Sequence, residues 1–275
     1  MKDFKGNDLD VVSLYQKNID YYNALAGEEP EFDLLKLYFG EDYKINDRIT
    51  IHQPTIQDVL NMGETVFYAT IAPFTSNTTS FRVQLYDLGI YWNDITDFEL
   101  FSLLIKTIKY ENIKIFFGDF DITSFELMAK INEKGEEIPV LFSEKLNYEM
   151  DEETYLHIRR YFCFMFNVKL EREIVKNKAL GAEIIAKEKA DIARKKAEMK
   201  GTTSLIQMIS FALNHPGFKY KKNELREVCY VEFLDSIKRL QVYESTRALT
   251  QGSYSGFCDV SKVPKEEFNF MRNVN

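Results

Sequence analysis

Several residue types that carry recognisable chemistry are scarce in this chain. It has three histidines and three cysteines among 275 residues. Cys163, Cys229 and Cys258 are scattered, and no CxxC pair exists, so neither a zinc site nor a thioredoxin-type motif has support. They read as free thiols of a reducing compartment. No two histidines lie four residues apart, as a helical metal site would need. No Walker, GxGxxG or GxSxG run occurs. No stretch approaches the ~20 apolar residues that span a bilayer. The opening MKDFKGNDLDVVSLYQ has neither an apolar h-region nor a cleavage site. These absences predict a cytoplasmic protein without cofactor or metal. A net charge of −8 gives no overall pull toward nucleic acid or anionic lipid.

Aromatic and apolar residues, in contrast, are plentiful. Phe and Tyr number 22 and 16, and 45% of the chain is hydrophobic, enough for a real core. Residues 1–30 form an acidic segment in which Val11, Val12, Leu14, Tyr15, Ile19 and Tyr22 recur near helical spacing. From 31 to 150 the pattern is mixed. Leu35, Leu37 and Phe39 alternate, as do Ile49 and Ile51, which predicts two or three short antiparallel strands. Thr55 then caps a helix reaching roughly Ala72. Pro73–Thr79 reads as a loop, FRVQLYDLGI as a short helix, and Thr96 as the cap of another. IKIFFG reads as a strand, and SFELMAKIN with EIPVLFS as a hairpin.

Residues 151–275 read as a helical module. Asp151 caps EETYLHIRRYFCFMF. The segment 169–200 is rich in Ala, Lys and Glu, with ten basic against six acidic residues. Its apolar residues are sparse, so it reads as a solvated helix or linker, open to protease. LIQMISFALN reads as a buried helix, and a long helical region follows Glu224. The fold class expected is α+β, mostly helical, with short strands in the N-terminal half and helices in the C-terminal half.

The candidate chemical groups each have a plain structural reading. His215 in LNHPGFKY precedes Pro216 and must leave the helix; it has no sequence-adjacent partner with which to act as a base. His52 reads as an edge residue and His157 as a helix residue near Tyr161. Asp119 and Asp121 in GDFD could hold a divalent ion at a strand end, which keeps a metal-dependent enzyme as one alternative. A solvated turn is the competing explanation for both. The basic run ARKKAEMK lacks the interleaved aromatics of a nucleic-acid surface. The contrast between acidic and basic segments leaves room for self-association.

Three phrases carry a resemblance to a known class: LYFGEDYKINDRITIHQPTIQDVLNMGE, RVQLYDLGIYWNDITDFELFSLL and FGDFD. The ending LIQMISFALNHPGFKYKKNELREVCYVEFLDSIKRLQVYESTRALTQGSYSG joins them. Together, over roughly 34–260, the chain resembles tail-gene-cluster proteins of phages infecting Firmicutes, of the tail assembly chaperone or baseplate-hub assembly type. The resemblance implies a non-enzymatic morphogenesis factor in the host cytoplasm, with the long helical tape-measure protein or another tail protein as its partner. It brings no catalytic residues. A structural subunit retained in the virion tail is the alternative. A partner of that kind needs apolar, ring-rich contact area. Tyr161, Phe162, Phe164 and Phe166 in YFCFMF, with Tyr254 and Phe257 in QGSYSGF, are the candidate partner-binding residues; burial in the core is the competing explanation for each.

Overall fold

The computed structural model describes residues 32–131, 135, 137–173, 175, 178–198, 204–255 and 261–272. The acidic segment 1–30 therefore lies outside the described residues. The elements run α1 Leu34–Tyr38, β1 Tyr43–Lys44, β2 Thr50–Ile51, α2 Ile56–Met62, α3 Glu64–Thr75, α4 Arg82–Asp87, α5 Asp97–Ile105 and α6 Tyr110–Phe117. They continue through β3 Glu126–Ile131, β4 Glu137–Ser143, β5 Tyr148–Met150, α7 Glu152–Met165, α8 Lys178–Glu198, α9 Ser204–Asn214 and α10 Tyr230–Ser255. The fold is α+β and mostly helical, with two small antiparallel sheets, β1-β2 and β3-β4-β5.

Two units divide the chain, and both are discontinuous. The first holds the described residues of Met1–Asp33, Ala69–Tyr110 and Asp121–Lys200. The second holds those of Leu34–Tyr68, Glu111–Phe120 and Gly201–Asn275.

In the second unit, α1 stands where a strand is expected from sequence. Leu35 and Phe39, four apart, share an exposed helical face, and only Leu37 is buried. The β1-β2 pair follows, with Tyr43 opposite Ile51. Its turn is closed by Asn46, whose Oδ1 accepts from the amides of Arg48 and Ile49 at 2.9 and 3.0 Å. Ile49 and Ile51 are fully buried. Helix α2 begins with a capping box, in which side chain and backbone of two residues satisfy each other. Thr55 Oγ1 accepts from Asp58 N at 3.2 Å. Asp58 Oδ2 accepts from Thr55 N at 2.8 Å. The single helix expected from 56 to about 72 is broken at Gly63. Its φ of 85° lies in the left-handed region and ends α2. The predicted strand IKIFFG is instead helix α6. Its buried residues Ile113, Phe116 and Phe117 follow i, i+3, i+4 spacing, a short apolar run that length alone does not assign.

In the first unit, α3 continues past Pro73 to Thr75 where a loop is expected from sequence. Two side chains serve the carbonyls of its last turn: Thr75 Oγ1 donates to Ile71 O at 3.0 Å and Ser76 Oγ to Ala72 O. Phe74 is fully buried, stacked on Phe162 at 4.4 Å, so packing overrides the proline. Helix α5 opens with a second capping box, Thr96 with Glu99. The hairpin β3-β4 pairs from Glu126 with Phe142 to Ile131 with Glu137, and β5 adds to the end of β4.

Within the charged segment, Lys178–Glu198 is a helix with most of its described side chains exposed, as a solvated helix would be, but it is docked along one seam. Val175 and Ile185 join Val83, Leu85, Trp92 and Leu100 in one buried cluster. The backbones of Glu171, Glu173 and Val175 are also tied down by polar side chains. Asn77 Nδ2 donates to Glu171 O at 2.8 Å, Trp92 Nε1 to Glu173 O at 3.1 Å, and Tyr91 Oη to Val175 O at 3.2 Å. Arg82 bridges Glu173 and Glu188. Gly181 lets α8 approach closely, because the space beside it leaves no room for a side chain. A Cβ there would stand 2.8 Å from the Tyr91 hydroxyl.

Candidate partner-binding surface

The six candidate contact residues separate once their surroundings are seen. Tyr161 and Phe162 face the core of the first unit from α7. Phe162 packs on Phe74, while Tyr161 lies 5.4 Å from Phe32. These two are structural in the folded chain and offer no contact area. Phe164 and Phe166 are half-buried, Phe164 beneath Phe32 at 5.0 Å and Phe166 beside Phe162 at 6.1 Å. Tyr254, near the end of α10, is 89% exposed. Phe257 lies outside the described residues.

The histidines are held by local partners. His215 follows the last residue of α9. Its Nδ1 accepts from Gly217 N at 3.0 Å, which leaves Nε2 as the protonated nitrogen facing Glu244 at 3.3 Å. The ring thus closes the α9 turn and ties it to α10; its acidic partner lies 29 residues away in sequence. His52 meets Asp42 at 2.8 Å. His157 stacks on Phe32, and its pKa falls below 6.5 because burial, and then Arg160, disfavour its charged form.

Asp121 has both oxygens engaged. Oδ1 accepts from Thr123 N and Oγ1 at 3.1 and 2.6 Å, and Oδ2 meets Lys145 at 2.7 Å. Burial alone would raise its pKa. The bonds from Lys145 and Thr123 outweigh burial and hold it below the usual carboxylate value. Asp119 is exposed and pairs with Lys114 at 3.0 Å. Among the described residues no three His, Cys, Asp or Glu side chains converge as metal ligands. The Cys163 thiol is pushed up to about 11 by burial, away from the range of a reactive thiolate.

An apolar surface also lies on α9, in the second unit. Seven of its eleven residues are apolar, yet only Leu205 and Ala212 of these are buried. The exposed arc runs Ile206, Gln207, Ser210, Phe211 and Asn214, with Ile206 57% and Phe211 41% exposed. The buried helix expected from sequence is therefore an amphipathic one with large apolar groups at both edges of its solvent face. The signal was present in the sequence: a helix apolar on more than one side exceeds what one core contact buries. Phe211 lies 5.4 Å from His215, and the His215–Glu244 contact brings the end of α9 to α10, where Tyr243 is also exposed. These residues supply apolar and aromatic edges suited to packing against a helix.

Comparisons with protein-family models, with curated proteins and with solved structures return no match. Among the described residues no helix is long and apolar enough to cross a membrane.

Proposed function

We propose that this chain is a non-enzymatic morphogenesis factor of a phage tail, acting in the host cytoplasm as an assembly chaperone. It binds the tape-measure protein, or another tail protein, before the tube closes around it. The observation that carries the reading is the α9 surface. On this reading Ile206 and Phe211, exposed on α9, are the apolar contacts that a partner's helix covers. A tape-measure protein, long, helical and striped with apolar residues, is a partner whose chemistry fits. The phrases of sequence resemblance between 34 and 260 support the same direction. The engaged carboxylate of Asp121 and the turn-closing role of His215 weigh against a hydrolytic or metal-assisted reading.

The test is co-expression of the tagged chain with the tape-measure protein of its own phage, followed by capture and mass spectrometry. Retention of the tape-measure protein, reduced at least tenfold by Phe211→Asp, supports the proposal. Undiminished binding by Phe211→Asp removes α9 from it. Purified virions then separate the two tail readings: an assembly chaperone is absent from them, whereas a structural subunit is present in fixed ratio.

A further inference from the structure

We propose that β3 pairs edge to edge with the β3 of a second copy of this chain, making a two-fold dimer through a continuous six-stranded sheet. All six residues of Glu126–Ile131 are exposed, including Leu127, Met128 and Ile131 at 42, 51 and 70%. β3 is an edge strand of its sheet, and an open edge of this length with apolar side chains is a template for another strand.

Pro139 fixes the direction in which that edge is open. It stands opposite Ala129 and has no N–H to give, so this pair is of the non-hydrogen-bonded kind. The alternation of an antiparallel ladder then turns the backbone N–H and C=O of Leu127, Ala129 and Ile131 away from β4. On the opposite side of the hairpin, β5 covers Leu141–Ser143, and Pro139 blocks strand addition beyond it. Among the described residues the hairpin is closed on one side and open on the other.

Charge selects the occupant. An antiparallel mate centred on Met128 places Leu127 opposite the second copy's Ala129, a hydrogen-bonded pair using the outward groups. The same register sets Glu126 opposite the second copy's Lys130, twice, in the closer non-hydrogen-bonded positions. Within each copy Lys130 already meets Glu149 at 2.6 Å, and Lys106 lies 3.9 Å from Glu126. The pairing would line up Glu149, Lys130, Glu126 and Lys106 as alternating charges across the two-fold axis. Edge lysines ordinarily discourage strand addition; here the mate's glutamate answers each one.

Sedimentation velocity of the full chain, with three variants, tests the pairing. The wild type should sediment at twice the 32.3 kDa chain mass. Ala129→Pro removes an outward N–H that takes no part in the β3-β4 ladder, so it should be a monomer with unchanged circular dichroism. Glu126→Lys should weaken association roughly tenfold, and adding Lys130→Glu should restore it. Met128→Cys, treated with copper–phenanthroline in air, should give a disulfide-linked dimer that the wild-type chain under the same oxidant does not. A wild type that remains monomeric up to roughly 100 µM overturns the proposal. So does a dimer that survives Ala129→Pro. Neither result bears on binding of a tail protein through α9, and loss of that binding in Phe211→Asp leaves the dimer untouched.

Discussion

Asp97 is a carboxylate without solvent access, answered by two arginines. Its side chain is fully buried, with Oδ2 accepting from Arg159 at 2.6 Å and also from Arg172, and Oδ1 accepting from Thr78 N at 2.9 Å. Burial alone would make Arg159 less basic. Tyr155 and Asp97 reverse this and keep it charged. Replacing Asp97 with Ala leaves a guanidinium buried without its counter-ion, which costs about 3–5 kcal/mol. Urea denaturation followed by far-ultraviolet dichroism should show the loss. A midpoint within error of wild type would refute the network. His157 gives a second test at this scale. Its folded pKa lies below 6.5, so the unfolded chain takes up the proton first. The contribution is fully present above 6.5 and is lost as the pH falls through the lower folded value. Between about pH 8 and about pH 5.5, wild type should lose more melting temperature than His157→Asn does. Equal losses would contradict the assignment.

At the scale of elements, the caps were the most legible features. Thr55, Thr96 and Asp151 each begin a helix where the sequence places one, because a side-chain acceptor for the first-turn amides is a local requirement. Thr96→Ala should lower stability by about 1 kcal/mol, read from the same denaturation curves. The misread elements have other causes. Leu35–Phe39 is an apolar run too short for its period to separate strand from helix. IKIFFG and Pro73 lie where tertiary burial, absent from local pattern, decides the outcome. Segment 169–200 shows the same effect at greater length. Its composition is that of a solvated helix, but Val175, Ile185 and Arg82 dock it. Within YFCFMF, Tyr161 and Phe162 are buried while Phe164 and Phe166 are half-buried: an aromatic run does not declare which of its rings face inward. Arg82→Ala should raise the rate of tryptic cleavage within Lys178–Glu198 several-fold over wild type, monitored by mass spectrometry. Equal rates would mean that the ion pairs to Glu173 and Glu188 do not hold α8.

For the whole molecule, the proposed function asks that the chain act through its surface. Each of the two units has a core of its own, and each leaves apolar groups in water: α9 in the second, the β3 edge in the first. On the proposed reading these surfaces have separate tasks, one for a tail protein and one for a second copy. The most direct measurement of the central claim is capture of the tape-measure protein of the same phage by this chain during co-expression. The account predicts stoichiometric retention that falls at least tenfold in Phe211→Asp while the secondary structure is unchanged. A wild-type chain that emerges alone, with the tape-measure protein soluble beside it, would contradict the account.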